Sequence, residues 1–298
     1  MSYHNPVLLK ESVDGLNIKE NGVYVDVTFG GGGHSKEILK RLGSGGKLFA
    51  FDQDEDALEN ALDDERFTLI NENFRYVAQF LKFHGIRKVD GILADFGVSS
   101  HQFDKAERGF STRFNADLDM RMSSKNAISA YDVVNKYSYD DLRKVLFQYG
   151  DLRNANAMAT KIIESREENV IKTTEQLKEV LRQFLPQFKE HKILAQIYQA
   201  IRIEVNQEIQ VIKEFFEQVG SIMDTGSRLS VISYHSLEDR LVKRFVRAGL
   251  FEGEPEKDFY GNIDVPYKKV GGLQTPSREE IKENNRARSA KLRIAERL

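Results

Sequence analysis

Cysteine is absent from the 298 residues. That excludes a disulfide framework, a thiolate zinc site and a thiol nucleophile. Long apolar runs are missing too. None approaches the roughly 18 residues of a membrane helix, and no signal peptide is visible. A soluble, cytoplasmic protein without membrane contact is expected. An excess of either charge is also lacking: the formal net charge is −2. That rules out a generally cationic coat, so any nucleic-acid contact must rest on local basic patches. No internal repeat is evident.

What is present reads as a globular chain able to bury a sizeable core, with 40% hydrophobic and 30% charged residues. Its length suggests about two domains, or one large domain carrying an insertion.

The organising stretch is Tyr24-Val25-Asp26-Val27-Thr28-Phe29 followed by Gly30, Gly31, Gly32, Gly33 and His34. Val25, Val27 and Phe29 alternate as a short strand would, and the helix-like run 35–42 follows the glycines at once. A strand, a glycine turn and a helix N-terminus bring bare backbone N–H groups close to a ligand. A second apolar strand, 47–51, ends in Asp52, about 20 residues beyond the glycines, where nucleotide-binding α/β folds place an acid against ribose hydroxyls. The dinucleotide pattern G-x-G-x-x-G fits poorly, because Ser35 or Lys36 falls at its third glycine. The spacing from Asp26 to Gly30 and Gly32 is instead that of S-adenosylmethionine sites. An enzyme using that cofactor without cysteine cannot add a thiol to C6 of a pyrimidine to activate C5. It should alkylate an atom that already carries a lone pair, nitrogen or oxygen.

Further along, Glu55 to Leu62 reads as a short helix and Phe67–Ile70 as a third strand. Phe74 stands where a doubly wound fold meets an adenine ring, either packing on it or capping the core. The fourth strand, Val89–Asp95, ends beside Gly97, Ser99 and Ser100, which suits close ligand approach at a strand's carboxyl end. From Glu107 to Asn206 helix signals dominate, with helix starts at Ser138 and at the capping box opened by Thr173. Ile197, Ile201, Val205, Ile209, Ile212 and Phe216 mark one longer amphipathic helix returning to the sheet. Arg228–Ser233 is a fifth strand, 252–278 an extended loop or hairpin, and a further strand begins around Lys291.

Several stretches, in this order and spacing, resemble the RsmH (MraW) family. They include Thr28–His34, Gly97–Ser100, Glu107–Ser111, Leu118–Met122, Gln199–Ile203, Val205-Asn206, His235–Arg240 and Arg286–Ser289. The resemblance covers nearly the whole chain. It implies an α/β fold: a Rossmann-like, seven-stranded methyltransferase domain using S-adenosylmethionine, with an inserted all-helical domain. The domains are then 1–106, the helical insertion 107–206 for RNA recognition, and 207–298. It implies methyl transfer to the exocyclic N4 of cytidine 1402 in 16S ribosomal RNA, within the small ribosomal subunit. The cofactor contacts carried over are Gly32, Gly33, His34, Asp52, Phe74, Asp95 and Gln102, with no metal ligands. Departures from the family pattern, at His101, Phe103 and 191–198, lie in or beside the insertion.

Cytosine N4 is a poor nucleophile because its lone pair is delocalised into the ring, so alignment and a nearby acceptor are required. Asp95 is the candidate catalytic residue, either holding the cofactor's amino group or accepting an N4 hydrogen. Ser99 and Ser100 are expected to shape the base pocket, and Phe96, Phe103 and Phe110 could stack on a flipped base. Arg286, Arg288, Lys291, Arg293 and Arg297 form either a phosphate-contacting edge or a solvated strand. His235 is either a general base or a cap. Rival readings are a non-catalytic ribosome-assembly factor, a methyltransferase for DNA or a small amine, and an NAD-dependent oxidoreductase.

Overall fold

The computed structural model describes residues 6–298 except 256, 258 and 262; His4 and Asn5 of the lead-in, and the Ser100 side chain, lie outside the described residues. The chain divides into two compact units, residues 1–97 with 209–298, and residues 98–208. The turn after the fourth strand thus opens the second unit at Val98, ahead of the Glu107 boundary drawn from helix signals.

Seven strands make the sheet of the first unit: β1 (Val23–Asp26), β2 (Lys47–Phe51), β3 (Phe67–Ile70), β4 (Val89–Asp95), β5 (Met223–Ser233), β6 (Tyr267–Gln274) and β7 (Lys291–Arg297). Their order is β3-β2-β1-β4-β5-β7-β6. The first five are parallel, and β7 runs antiparallel to both β5 and β6. From β1 the chain moves outward to β2 and β3, then crosses back to β4. The order reverses between β1 and β4, the switch point at which such sheets bind ligands, at the strands' carboxyl ends.

Both faces of this sheet are covered, so successive residues alternate between two cores. Tyr24, Leu48 and Leu93 pack with Val13, Ile38 and Leu39 of helices α1 (Leu9–Gly15) and α2 (Gly33–Arg41). Their neighbours Val25, Phe49 and Ile92 pack on the other face. There they meet α3 (Val77–Phe83) and Phe215, Phe216 and Phe245, residues that lie in two helices labelled below. The Phe216 and Phe245 rings stack 4.5 Å apart, and Phe251 continues the column at 5.7 Å from Phe245.

The second unit is helical. It comprises α4 (Ser100–Asp104), α5 (Ala130–Lys136), α6 (Tyr139–Gly150), α7 (Ala155–Glu168), α8 (Thr174–Val180) and α9 (Glu190–Asn206). The caps read from sequence are in place: Ser138 accepts from the Asp141 N–H, and Thr173 closes a capping box with Gln176. Three of the sequence motifs form one knot. Arg108 donates to the carbonyls of Arg121 (2.8 Å) and Met122 (3.1 Å). Asn206 accepts the Met122 N–H at 2.7 Å and donates to the Met120 carbonyl at 2.8 Å. Gly109 (φ 72°) lies so near the Asp117 carbonyl that a Cβ would come within 2.6 Å of it.

Two helices differ from the sequence reading, and β5 begins at Met223 rather than Arg228. The single long helix expected through 197–216 is two, α9 and α10 (Glu208–Ile222), because Gln207 adopts a left-handed conformation (φ 52°) that ends α9. The expected helix at 55–62 is a 3₁₀ turn over Glu55–Asn60, started by Asp54 accepting the Asp56 N–H at 3.2 Å. The first unit is completed by α11 (Ser236–Ala248) and α12 (Arg278–Glu283). No helix among the described residues is long and apolar enough to cross a membrane.

Candidate active site

Asp26 closes β1 and is fully buried. Its Oδ2 accepts the Ser35 hydroxyl at 2.7 Å, and its Oδ1 accepts the Thr28 N–H at 3.1 Å. Burial outweighs these bonds and raises its pKa to about 6. The Thr28 hydroxyl in turn accepts the backbone N–H of Asp95 at 2.7 Å, which fastens the end of β4 to the turn after β1.

The glycine turn leads into α2 through Gly32, whose φ of 74° lies in the left-handed region. A Cβ there would press on the Phe29 ring at 2.9 Å, and one on Gly33 would collide with Pro6. These two glycines therefore admit neighbours from their own chain. His34, on the first turn of α2, is buried, and its Nε2 lies 3.2 Å from the Val7 carbonyl. A carbonyl only accepts, so this nitrogen carries the hydrogen and Nδ1 holds a lone pair. Burial lowers the ring's pKa to about 4, so it is neutral near pH 7. The bare Nδ1 stands 3.9 Å from Oδ2 of Asp95.

Asp52 follows β2, with Oδ2 accepting the Gly30 N–H at 2.7 Å and Oδ1 accepting the Asp54 N–H at 2.9 Å. Burial, opposed by those two bonds, brings its pKa to about 6. Phe74 sits in a 3₁₀ turn capped by Asn73. Its ring stacks on Phe96 at 5.9 Å and meets the edge of Phe215 at 5.5 Å, so one side of it belongs to the core.

Asp95 ends β4, and burial raises its pKa to about 7. The Tyr234 hydroxyl, donated to Oδ1 at 2.8 Å, pulls the other way. Tyr234 was not among the residues marked by sequence, although it follows β5, which pairs with β4 in parallel. His34, Asp95 and Tyr234 thus converge where β1, β4 and β5 end, with Asp52 at the end of β2. Gln102 belongs to the second unit, where it is buried and completes a capping box with Ser99 (3.1 and 3.2 Å).

Other expectations resolve differently. Phe96 and Phe110 are core residues, 2% and 4% exposed, and Phe103 packs against the core of the second unit. As placed, Phe96 and Phe110 offer no free face to a base. His235 caps α11: its Nδ1 accepts the Glu238 N–H at 3.4 Å, and Glu238 accepts the N–H groups of Tyr234 and His235. In the basic C-terminal stretch, Lys291 and Arg293 both pair with Asp239 (3.1 and 2.8 Å). Arg297 donates to the Pro266 carbonyl and lies over the Tyr267 ring. Arg288 is exposed. The charges of Lys291, Arg293 and Arg297 are therefore engaged within the fold.

The chemistry of these side chains selects a ligand. Asp52, Asp95 and the lone pair of His34 are acceptors, and Asp26 adds a further negative charge behind them. Such a set suits hydroxyls and an ammonium group and repels a pyrophosphate, which fits S-adenosylmethionine better than a dinucleotide.

Residues 1–298 match the MraW methylase family. Ribosomal RNA small subunit methyltransferase H of Flavobacterium johnsoniae is 70% identical over 298 residues, covering 100% of this chain and 99% of that protein. The protein of the same description from Christiangramia forsetii is 68% identical, with 100% and 99% covered, and that of Cytophaga hutchinsonii 56%, with 99% of each. Among solved structures, a putative methyltransferase from Streptococcus mutans in complex with SAH aligns over 100% of both chains, with TM-score 0.46 and 13% identity. An rRNA methylase from Streptococcus thermophilus aligns over 100% of this chain and 99% of its own, with TM-score 0.44 and 12% identity. By a match that runs the full length of the sequence, the chain belongs to the MraW methylase family.

Proposed function

We propose that the protein transfers a methyl group from S-adenosylmethionine to the exocyclic N4 of a cytidine, cytidine 1402, in 16S ribosomal RNA. The observation that carries this reading is the acceptor set of Asp52, His34 and Asp95 at the switch point of a methylase-family sheet. Relatives described as ribosomal RNA small subunit methyltransferase H at up to 70% identity support the substrate class. The absence of cysteine supports nitrogen over ring carbon as the methylated atom.

Bound S-adenosylmethionine supplies a methyl group activated by sulfonium. The chain's own residues bind and orient. Asp52 takes the ribose hydroxyls, Phe74 lies by the adenine, and the Asp95 carboxylate with His34 Nδ1 receives the amino group. Gly32 and Gly33 contact the cofactor through the backbone of the loop, and Gln102 is a further cofactor contact. Asp95, the carboxylate that ends β4, would otherwise accept a hydrogen from N4 as positive charge develops there. The helical segment 107–206 recognises the RNA, whose target base leaves its stack to react. The small ribosomal subunit is the partner, and the work is cytoplasmic.

The test is transfer of labelled methyl to small subunits that lack the modification, with the product nucleoside identified by mass spectrometry. N4-methylcytidine is the expected product. Asp95→Ala should lower the rate by about a hundredfold or more. Cofactor binding with no transfer to subunits or to naked RNA would replace this reading with that of an assembly factor.

A further inference from the structure

We propose that Tyr234 is a positioning residue of the cofactor site: its hydroxyl, donated to Oδ1 of Asp95, locks the carboxylate so that Oδ2 stays turned to His34 Nδ1 as an acceptor for an ammonium group. The inference rests on the cofactor reading above and goes beyond it by naming the residue that sets the lower pH limit of binding.

Both ends of Tyr234 are fixed. Its N–H is held by Glu238 Oε2 at 2.8 Å, and its hydroxyl reaches Asp95 at 2.8 Å. The Asp95 backbone is held separately, by the Thr28 hydroxyl at 2.7 Å. With backbone and Oδ1 both anchored, Oδ2 is left facing the lone pair of His34 Nδ1 at 3.9 Å. Two acceptors at that separation, with no donor of their own, suit one ammonium group placed between them.

The charges facing this pair explain why the bond matters. Asp26 and Glu238 act on Asp95 with the same sign as its own charge, and His34 is neutral. Asp95, Glu238 and Glu280, together with burial, hold the Tyr234 hydroxyl well above its ordinary range, so it stays a donor throughout. Among the described residues, the Tyr234 hydroxyl is the donor that favours the ionised form of Asp95, whose pKa burial has already raised to about 7. Without it the carboxylate takes up a proton at higher pH and ceases to attract a cation.

The test is calorimetric titration of the full chain with S-adenosylhomocysteine, which carries the same amino group, from pH 5.5 to 8.5. The wild type should lose affinity as pH falls through the Asp95 transition. In Tyr234→Phe that transition should move up by about one pH unit, a roughly eightfold loss of affinity near pH 6.5 that all but vanishes, to about 1.3-fold, at pH 8.5. Tyr234→Met, which also lacks the hydroxyl, should move it likewise if the Phe variant does not fold. Asp95→Asn should bind weakly and lose the transition near pH 7, keeping only what Asp52 and Asp26 contribute near pH 6. A Tyr234→Phe profile that coincides with the wild type, or lies below it by one factor at every pH, overturns the proposal. Absence of binding to the wild type at all pH values overturns the cofactor reading itself.

Discussion

Replacing Asp26 with Asn should stabilise the protein, by an amount that grows with pH. Asp26 is fully buried, and its bonding partners, the Ser35 hydroxyl and the Thr28 turn, are neutral. Its pKa is about 6 in the folded protein against an ordinary 3.8. An acid with a raised folded pKa holds its proton more tightly when folded. Its ionisation therefore costs stability as pH rises from about 4 through 6, and the full cost persists above that. A gap of two pKa units corresponds to about 3 kcal/mol at neutral pH, as an upper limit. Asn has the same shape, keeps an oxygen for the Thr28 N–H, and presents an N–H to the Ser35 oxygen, whose hydroxyl can rotate to accept it. Each re-formed neutral bond contributes about 1 kcal/mol, so little of the gain is forfeited. Urea unfolding of both proteins at pH 4.5 and pH 8 should show the variant's advantage growing by about 2 kcal/mol, with unchanged slope. The charge of Asp26 also helps hold Asp95 up, so the acid limit of S-adenosylhomocysteine binding should move down in the variant. A variant destabilised equally at both pH values would refute the reasoning, because the ionised group would then be a net anchor.

Asn206→Ala should destabilise the second unit by about 2–4 kcal/mol, since the buried Met122 N–H and Met120 carbonyl lose their partner; faster limited proteolysis between residues 98 and 208 would report it. Arg293→Ala should lower the thermal midpoint through loss of the Asp239 bond. Arg288→Ala should instead reduce the salt dependence of RNA binding by about one phosphate contact, read by filter binding across salt concentrations. The reverse pattern would return Arg293 to the phosphate-contacting edge.

What was legible in the sequence is what strand ends and glycine turns announce. Asp26, Asp52 and Asp95 each stand where an apolar alternation stops, and the sheet brings those stops to one edge. Tyr234 was not legible, because its bond to Asp95 spans 139 positions and follows from β4 and β5 being neighbours. The break between α9 and α10 was hidden for a different reason. The apolar spacing from Ile197 to Phe216 continues through Gln207, and a left-handed backbone leaves no mark on hydrophobic periodicity. Charge counts could not decide between a phosphate-contacting edge and a solvated strand at the C-terminus, since they cannot reveal that Asp239 faces Lys291 and Arg293. Aromatic residues carry the same ambiguity: nothing in the order of residues says that Phe96 points inward to Phe215 and Phe216.

The position of β7 has a consequence for biosynthesis. It leaves the ribosome after the other six strands, yet it pairs between β5 and β6, with Leu292, Ile294 and Ala295 buried. Until it arrives, β5 presents an open edge and β6 has no neighbour among the strands already made. The second unit, residues 98–208, is continuous and fully translated well before then. A nascent chain can therefore finish its helical body while its sheet is still incomplete, and a release delayed before Lys291 would leave a sticky sheet edge exposed to every other chain in the cell.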